Sequence, residues 1–123
     1  MKPSMKVFVV DDEPIIATTL AMILRRVGFE VDFFTVPAEA LTAAEINRPH
    51  LLVSDVMMPG LSGVDLAIRI RAMCPECKII LISGQATTND LLKDARHRGY
   101  DFMLLQKPFH PTDLLAAIRR MDS

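Results

Sequence analysis

The sequence predicts a single α/β domain, a doubly wound sandwich in which five helices cover both faces of a five-stranded parallel sheet. Short apolar runs of strand length alternate with longer segments whose apolar residues recur every three or four positions. The apolar runs are mostly continuous, which is typical of strands buried on both faces. Connections between parallel strands of this kind are expected to be right-handed.

The first two strand–helix pairs are recognised by where each apolar pattern begins and ends. Val7–Val10 is a continuous apolar run that stops at an acidic residue, and Pro14 suits the first turn of the helix that follows. Gly28 is suited to end that helix. Residues 29–34 alternate apolar and acidic side chains and form a weaker strand, after which Pro37 opens the second helix.

The same alternation continues through the second half of the chain. Strands are predicted at residues 51–53, 79–82 and 102–105. The third helix is predicted to follow the loop at residues 58–63, the fourth to run from near Thr88 or Asn89 to Gly99, and the fifth to begin at Pro111.

Composition limits the function classes that fit this chain. The chain has 123 residues, which is the length of one typical domain of about 100–200 residues. Half of the residues are hydrophobic, and the net charge is −1. Balanced charge argues against direct nucleic-acid binding, and no apolar run approaches the ~20 residues of a membrane span. The amino terminus lacks the apolar stretch of a signal peptide. We therefore expect residues 1–123 to form one cytoplasmic domain without membrane or nucleic-acid contact.

Polar residues follow the predicted strands at the positions where ligands bind in open α/β sheets. Asp11 and Asp12 follow the first strand, Asp55 the third, Ser83 the fourth and Lys107 the fifth. Because a parallel sheet brings the carboxyl ends of its strands to one edge, these side chains are expected to converge there.

Three carboxylates in one pocket repel one another, so either one of them stays protonated or a cation joins them. Oxygen ligands without histidine or cysteine favour Mg²⁺, with Mn²⁺ as an alternative. Lys107 adds a positive charge and Ser83 a hydroxyl donor, groups that neutralise and orient a phosphoryl group. A carboxylate nucleophile that forms an aspartyl phosphate is a known route for such chemistry.

Four sequence pieces, in order along nearly the whole chain, resemble the receiver domain of bacterial two-component response regulators. They are Val9–Glu13, Asp55–Gly60 with Gly63, Ser83–Gly84 and Lys107–Phe109. The resemblance implies a flavodoxin-like fold with strand order 2-1-3-4-5. It also implies a signalling module rather than a conventional enzyme.

The same resemblance implies roles for the residues at the strand ends. Asp55 is expected to accept a phosphoryl group from a sensor histidine kinase or a phosphotransfer protein. The direct Mg²⁺ ligands are expected to be Asp12, Asp55 and the backbone carbonyl of Met57, while Asp11 acts through a bound water.

The resemblance also implies features of Lys107 and Ser83 and of the response to phosphorylation. Lys107 contacts the phosphoryl oxygens, and its peptide bond to Pro108 is cis. Ser83 moves toward the phosphoryl group and changes the surface of the fourth helix, fifth strand and fifth helix. That surface controls a downstream protein partner or an output domain.

The sequence departs from the family pattern near the end of the fifth strand. An aromatic residue usually stands three positions before the lysine, where this chain has Leu104. The stretch from Gly99 to Lys107 is also one residue longer than usual, and a bulge in the strand would accommodate it. Either Phe102 serves as the switch aromatic or the aromatic switch is missing.

Other motifs and functions compete with this interpretation. Cys74 and Cys77 have the spacing of half a zinc site or a redox pair, but we interpret them as inert thiols at a helix end. His50 and His97 are interpreted as surface residues, and a minor role in phosphoryl access is left open for His110. The competing functions are a Mg²⁺-dependent aspartyl-phosphate phosphatase and a pseudo-receiver docking domain that is not phosphorylated.

Overall fold

Five parallel strands form one sheet in the order β2-β1-β3-β4-β5, as the resemblance implies. The computed structural model describes residues 5–84 and 89–121. The strands are β1 (Lys6–Val10), β2 (Glu30–Phe34), β3 (Leu51–Asp55), β4 (Lys78–Ser83) and β5 (Met103–Gln106). The helices are α1 (Pro14–Arg26), α2 (Pro37–Ile46), α3 (Gly63–Met73), α4 (Asn89–His97) and α5 (Pro111–Met121).

Two apolar cores lie on opposite faces of the sheet. Alternate strand residues pack on one face against α1 and α5, where Leu24 and Leu114 are fully buried. The other residues pack against α2, α3 and α4, where Leu66 and Ile70 are fully buried. Burial on both faces explains why β1 is buried along its whole length and reads as one continuous apolar run.

Helix ends follow the local signals in the sequence. Proline occupies the first turn of α1 and of α2, and Gly28, just after α1, has a φ of +102°. At the start of α3 the hydroxyl of Ser62 accepts a hydrogen bond from the backbone N–H of Asp65 at 3.1 Å. The start of α4 is Asn89, and the other predicted start, Thr88, lies outside the described residues.

The predicted bulge in β5 is wrong. Four consecutive residues of β5 pair one-to-one with β4, from Met103 opposite Ile80 to Gln106 opposite Ser83. The strand begins one residue later than predicted, and the buried Phe102 lies just before the ladder. The additional residue is therefore accommodated outside the paired part of the strand.

Within the described ranges, no helix combines the length and the apolar character needed to cross a membrane.

Candidate functional site

Three carboxylates meet at the carboxyl edge of the sheet. Asp11 and Asp12 directly follow β1, and Asp55 ends β3, which lies beside β1 with Val10 opposite Ser54. One oxygen from each carboxylate lies within 4.8 Å of the other two. The convergence predicted from the strand ends is confirmed.

Asp11 is the most deeply buried of the three carboxylates, and only one of its oxygens has a hydrogen bond from a described residue. Asp11 is only 1% exposed, and its Oδ1 accepts a hydrogen bond from the backbone N–H of Glu13 at 2.9 Å. Its buried Oδ2 has no hydrogen-bond partner among the described residues. Burial raises the pKa of Asp11 above its ordinary value, and the negative charge of Asp55 raises it further, against the opposing effect of the Glu13 N–H.

Lys107 brings a positive charge to the same pocket. Its Nζ lies 3.6 Å from Oδ2 of Asp55, whose side chain is 12% exposed. Burial raises the pKa of Asp55, and the ammonium of Lys107 is the largest opposing influence. The backbone N–H of Lys107 donates to the carbonyl of Ser83 at 2.8 Å, and the Lys107–Pro108 peptide bond is cis, as the resemblance implies.

Ser83 and Met57 lie at the same edge of the sheet. Ser83 is buried and ends β4, one residue beyond Ile82, which is opposite Asp55. Met57 follows Asp55 by two residues, and its side chain is half exposed. Lys107 also lies beside Gly84, since a Cβ at that glycine would stand 3.5 Å from the lysine Cδ. All the predicted site residues therefore come from adjacent strand ends.

The donor set fits a small divalent cation. The three converging side chains offer only carboxylate oxygens, and one buried oxygen of Asp11 has no partner within residues 5–84 and 89–121. Hard oxygen donors of this kind suit Mg²⁺ or Mn²⁺ rather than a softer metal. No other group of three or more His, Cys, Asp or Glu side chains within residues 5–84 and 89–121 is close enough to share an ion.

The cysteine pair lies at the opposite edge of the sheet. Cys74 directly follows α3 and Cys77 precedes β4, and the backbone N–H of Cys77 donates to the carbonyl of Cys74 at 2.9 Å. Both side chains are buried, and burial, with the neighbouring Cys74, raises the pKa of Cys77 to about 12. A thiol with so high a pKa is a poor nucleophile at neutral pH, which supports the interpretation of inert thiols.

Two histidines have structural contacts that the sequence did not indicate. His50 donates its backbone N–H to the carbonyl of Lys6 at 2.8 Å, and its Nδ1 accepts the backbone N–H of Lys6 at 2.9 Å. His110 lies at the start of α5, where its backbone N–H donates to Asp113 and its ring nitrogen contacts Thr112. The contacts of His110 are therefore with the first turn of α5.

The two candidates for the switch position have different surroundings. Leu104 lies on the ladder opposite Leu81 and is 40% exposed. Phe102 is buried, stacks on Tyr100 with ring centroids 5.8 Å apart, and has the Arg71 guanidinium 5.5 Å from its ring centroid. Gln106 is opposite Ser83 on the ladder, and Phe102 precedes Gln106 by four residues. Phe102 therefore lies roughly 13 Å from Ser83 along the strand direction.

Known proteins share both the sequence pattern and this fold. The sequence profile of the response regulator receiver domain family matches residues 7–119. The DNA-binding response regulator MtrA of Mycolicibacterium smegmatis is 32% identical over 114 residues, which cover 93% of this chain and 49% of MtrA. The chain spans about half the length of the curated relatives it matches.

Solved structures agree with the sequence match. A response regulator receiver domain protein from Clostridium thermocellum is 30% identical with a TM-score of 0.83, over 94% of this chain and 92% of that one. The chemotaxis protein CheY4 of Vibrio cholerae is 27% identical with a TM-score of 0.84, over 96% of this chain and 98% of that one. This chain therefore belongs to the response regulator receiver domain family, phosphorylation-switched signalling modules of two-component systems that act as switches rather than as conventional enzymes.

Proposed function

We propose that Asp55 is the phosphoryl acceptor of this receiver domain and that the reaction requires Mg²⁺. The observation that carries the proposal is the pocket itself, in which three carboxylates have oxygens within 4.8 Å of one another and Lys107 Nζ is 3.6 Å from Asp55. Phosphoryl transfer depends mainly on positioning and charge stabilisation, and these side chains supply both.

Asp55 acts as the nucleophile in the proposed reaction. One of its carboxylate oxygens forms a bond to phosphorus while the bond from phosphorus to the donor breaks, and the donor's imidazole or acyl oxygen leaves with the bonding electrons. Lys107, with Nζ beside Asp55 and a partly exposed side chain, is placed to neutralise the phosphoryl oxygens. Ser83, at the end of the adjacent strand, is the proposed hydroxyl donor to the same group.

The proposed metal ligands are Asp12, Asp55 and the backbone carbonyl of Met57, with Asp11 acting through water. Bound there, Mg²⁺ supplies positive charge to phosphoryl oxygens. The buried Oδ2 of Asp11, which has no hydrogen-bond partner in the described part of the chain, supports this assignment, because a buried carboxylate oxygen is costly unless a donor or a cation satisfies it.

The proposed partners follow from membership of the family. A sensor histidine kinase or a phosphotransfer protein donates the phosphoryl group, and a downstream partner or output domain reads the surface of α4, β5 and α5. MtrA, of which this chain matches about half, is named as DNA-binding, so a DNA-binding output is one form this readout takes. We assign residues 1–123 to the receiver domain, without direct nucleic-acid contact by the domain itself.

The structure also bears on how the readout works in this chain. Phe102 contacts Tyr100 and Arg71 and lies far along the strand direction from Ser83, whereas Leu104 occupies a partly exposed position on the ladder. We propose that the aromatic switch is missing and that Leu104 stands in its place. No observation favours the phosphatase, and the complete set of Asp12, Asp55 and Lys107 argues against the pseudo-receiver.

Acetyl phosphate with Mg²⁺ tests the acceptor directly by intact mass. We expect one phosphoryl group on the wild-type protein, none on Asp55→Asn, and none on the wild type when Mg²⁺ is chelated. Asp101→Asn is a matched control, since the Asp101 side chain is 88% exposed and precedes the amino end of β5, whereas the site lies at the carboxyl ends of the strands. Labelling of Asp55→Asn at the wild-type level would refute the assignment.

A further inference from the structure

The carbonyl of Asp55 is held by a neighbour that lies inside the sheet. Ser54 is fully buried, with Val10 and Leu81 opposite it on the two adjacent strands. A hydroxyl in such apolar surroundings costs stability unless it is hydrogen-bonded. The Ser54 hydroxyl donates to the carbonyl oxygen of Asp55 at 3.0 Å.

The same peptide group is also fixed at its other end. The N–H of Val56, which shares the peptide plane with the Asp55 carbonyl, donates to the carbonyl of Ile82 at 2.9 Å. One hydrogen bond thus restrains the C=O side of this plane and a second restrains its N–H side. Rotation of the plane would change ψ of Asp55 and the direction in which the chain enters the loop that carries Met57.

We infer that Ser54 is a positioning residue for phosphoryl acceptance, acting through the backbone of Asp55. By fixing the Asp55–Val56 peptide plane, its hydroxyl holds the Asp55 carboxylate beside Lys107 and orients the start of the loop that carries Met57. The inference rests on the proposed role of Asp55 as acceptor. It assigns the hydroxyl a contribution to reaction rate that is separate from its contribution to stability.

A matched pair of variants isolates the hydroxyl. Ser54→Thr keeps it and Ser54→Val replaces it with a methyl group of similar shape, so both carry the same steric cost of an added group in a buried site. The readouts are the rate of labelling by acetyl phosphate at saturating Mg²⁺, followed by intact mass, and the melting temperature. We expect Ser54→Val to label roughly three- to tenfold more slowly than Ser54→Thr, the range for loss of one orienting hydrogen bond.

Two further variants separate positioning from general destabilisation. Ser54→Ala removes the hydroxyl without adding bulk and is expected to slow labelling to a similar extent. Ile80→Val removes a buried methylene group from β4 away from the site, and is expected to lower the melting temperature while leaving the labelling rate unchanged.

The outcomes distinguish this inference from the proposed function. If the wild-type protein is not labelled at Asp55, the proposed function fails and the inference falls with it. If the wild type is labelled but Ser54→Thr and Ser54→Val react at equal rates, only the role of Ser54 is overturned.

Discussion

Replacing Gly63 with alanine is expected to destabilise the domain by steric conflict, although alanine normally favours a helix. Gly63 is the first residue of α3, and its backbone N–H donates to the carbonyl of Val56 at 2.8 Å. A Cβ at this position would lie 2.0 Å from the carbonyl oxygen of Asp55 and 2.9 Å from Cα of Val56. Ordinary van der Waals contact begins near 3.4 Å, so the start of α3 and the end of β3 must separate.

The size of the effect follows from two opposing contributions. Overpacking of this kind costs about 1–3 kcal/mol, and the neighbouring atoms are backbone, which yields less readily than a flexible side chain. Alanine also lowers the conformational entropy of the unfolded chain, which offsets the loss of stability by about 0.4–1 kcal/mol. A net loss of about 2 kcal/mol corresponds to a fall in melting temperature of roughly 8 °C for a domain of this size.

Gly60→Ala provides the matched control for this assay by thermal unfolding. Gly60 belongs to the same loop and has a φ of +83°, but nothing lies within 4 Å of the position its Cβ would take. Alanine there bears only the backbone cost of about 1–2 kcal/mol, which its effect on the unfolded chain reduces to about 1 kcal/mol. A fall in melting temperature for Gly63→Ala that is no larger than the fall for Gly60→Ala would show that the steric reasoning is wrong.

Three other substitutions test the raised pKa of Asp11, the hydrogen bond between His50 and Lys6, and the approach of water to Asp55. Burial raises the pKa of Asp11, so the folded state holds its proton more tightly than the unfolded chain and ionised Asp11 costs stability above the folded pKa. Asp11→Asn is therefore expected to raise the melting temperature at pH 7 without Mg²⁺, with a gain that disappears as the pH falls below the ordinary value of 3.8; a constant gain down to pH 3 would contradict this cause. His50→Ala removes the acceptor of the Lys6 N–H and is expected to lower stability by about 1 kcal/mol in urea unfolding, while His97→Ala, an exposed residue in the last turn of α4, is expected to change it less. Met57→Ala opens the approach of water to a phosphorylated Asp55 and is expected to shorten the life of the phosphoryl group measured by mass, whereas Met57→Leu preserves it; equal lifetimes would remove Met57 from this role.

The fold was accessible from the sequence because burial on both faces of a parallel sheet leaves a plain pattern. Val7–Val10 is apolar throughout for this reason, and the order of elements follows from such runs. The start of β5 was less accessible, because Phe102 extends the apolar run without joining the ladder. Its place is set by contacts with Tyr100 and Arg71, which lie outside any local pattern.

The candidate site was predictable to the extent that strand ends determine it. Asp11, Asp12 and Asp55 had to meet once the strands were parallel, and the structure brings them together. The sequence did not indicate a role for Ser54, because a serine next to an aspartate at the end of a strand is typical of a turn. It did not indicate one for His50 either, since its partner, Lys6, is distant in sequence and is brought near only by the pairing of β1 with β3.

The excess charge of the pocket gives a physical reason why the proposed site would respond both to a metal ion and to a phosphoryl group on Asp55. Three carboxylates against the ammonium of Lys107 leave two negative charges uncompensated when all are ionised, and burial of Asp11 and Asp55 makes that excess costly. A divalent cation balances the excess, whereas a phosphoryl group on Asp55 adds negative charge again. Among the residues that the structure describes, the Lys107 ammonium and the Ser83 hydroxyl are the groups proposed, together with the cation, to compensate the added charge. Because Lys107 follows β5 and its N–H is bonded to the Ser83 carbonyl, any movement toward the phosphoryl group acts on β4 and β5 together. A change of charge in the pocket would therefore act directly on β4 and β5, and β5 is part of the proposed output surface.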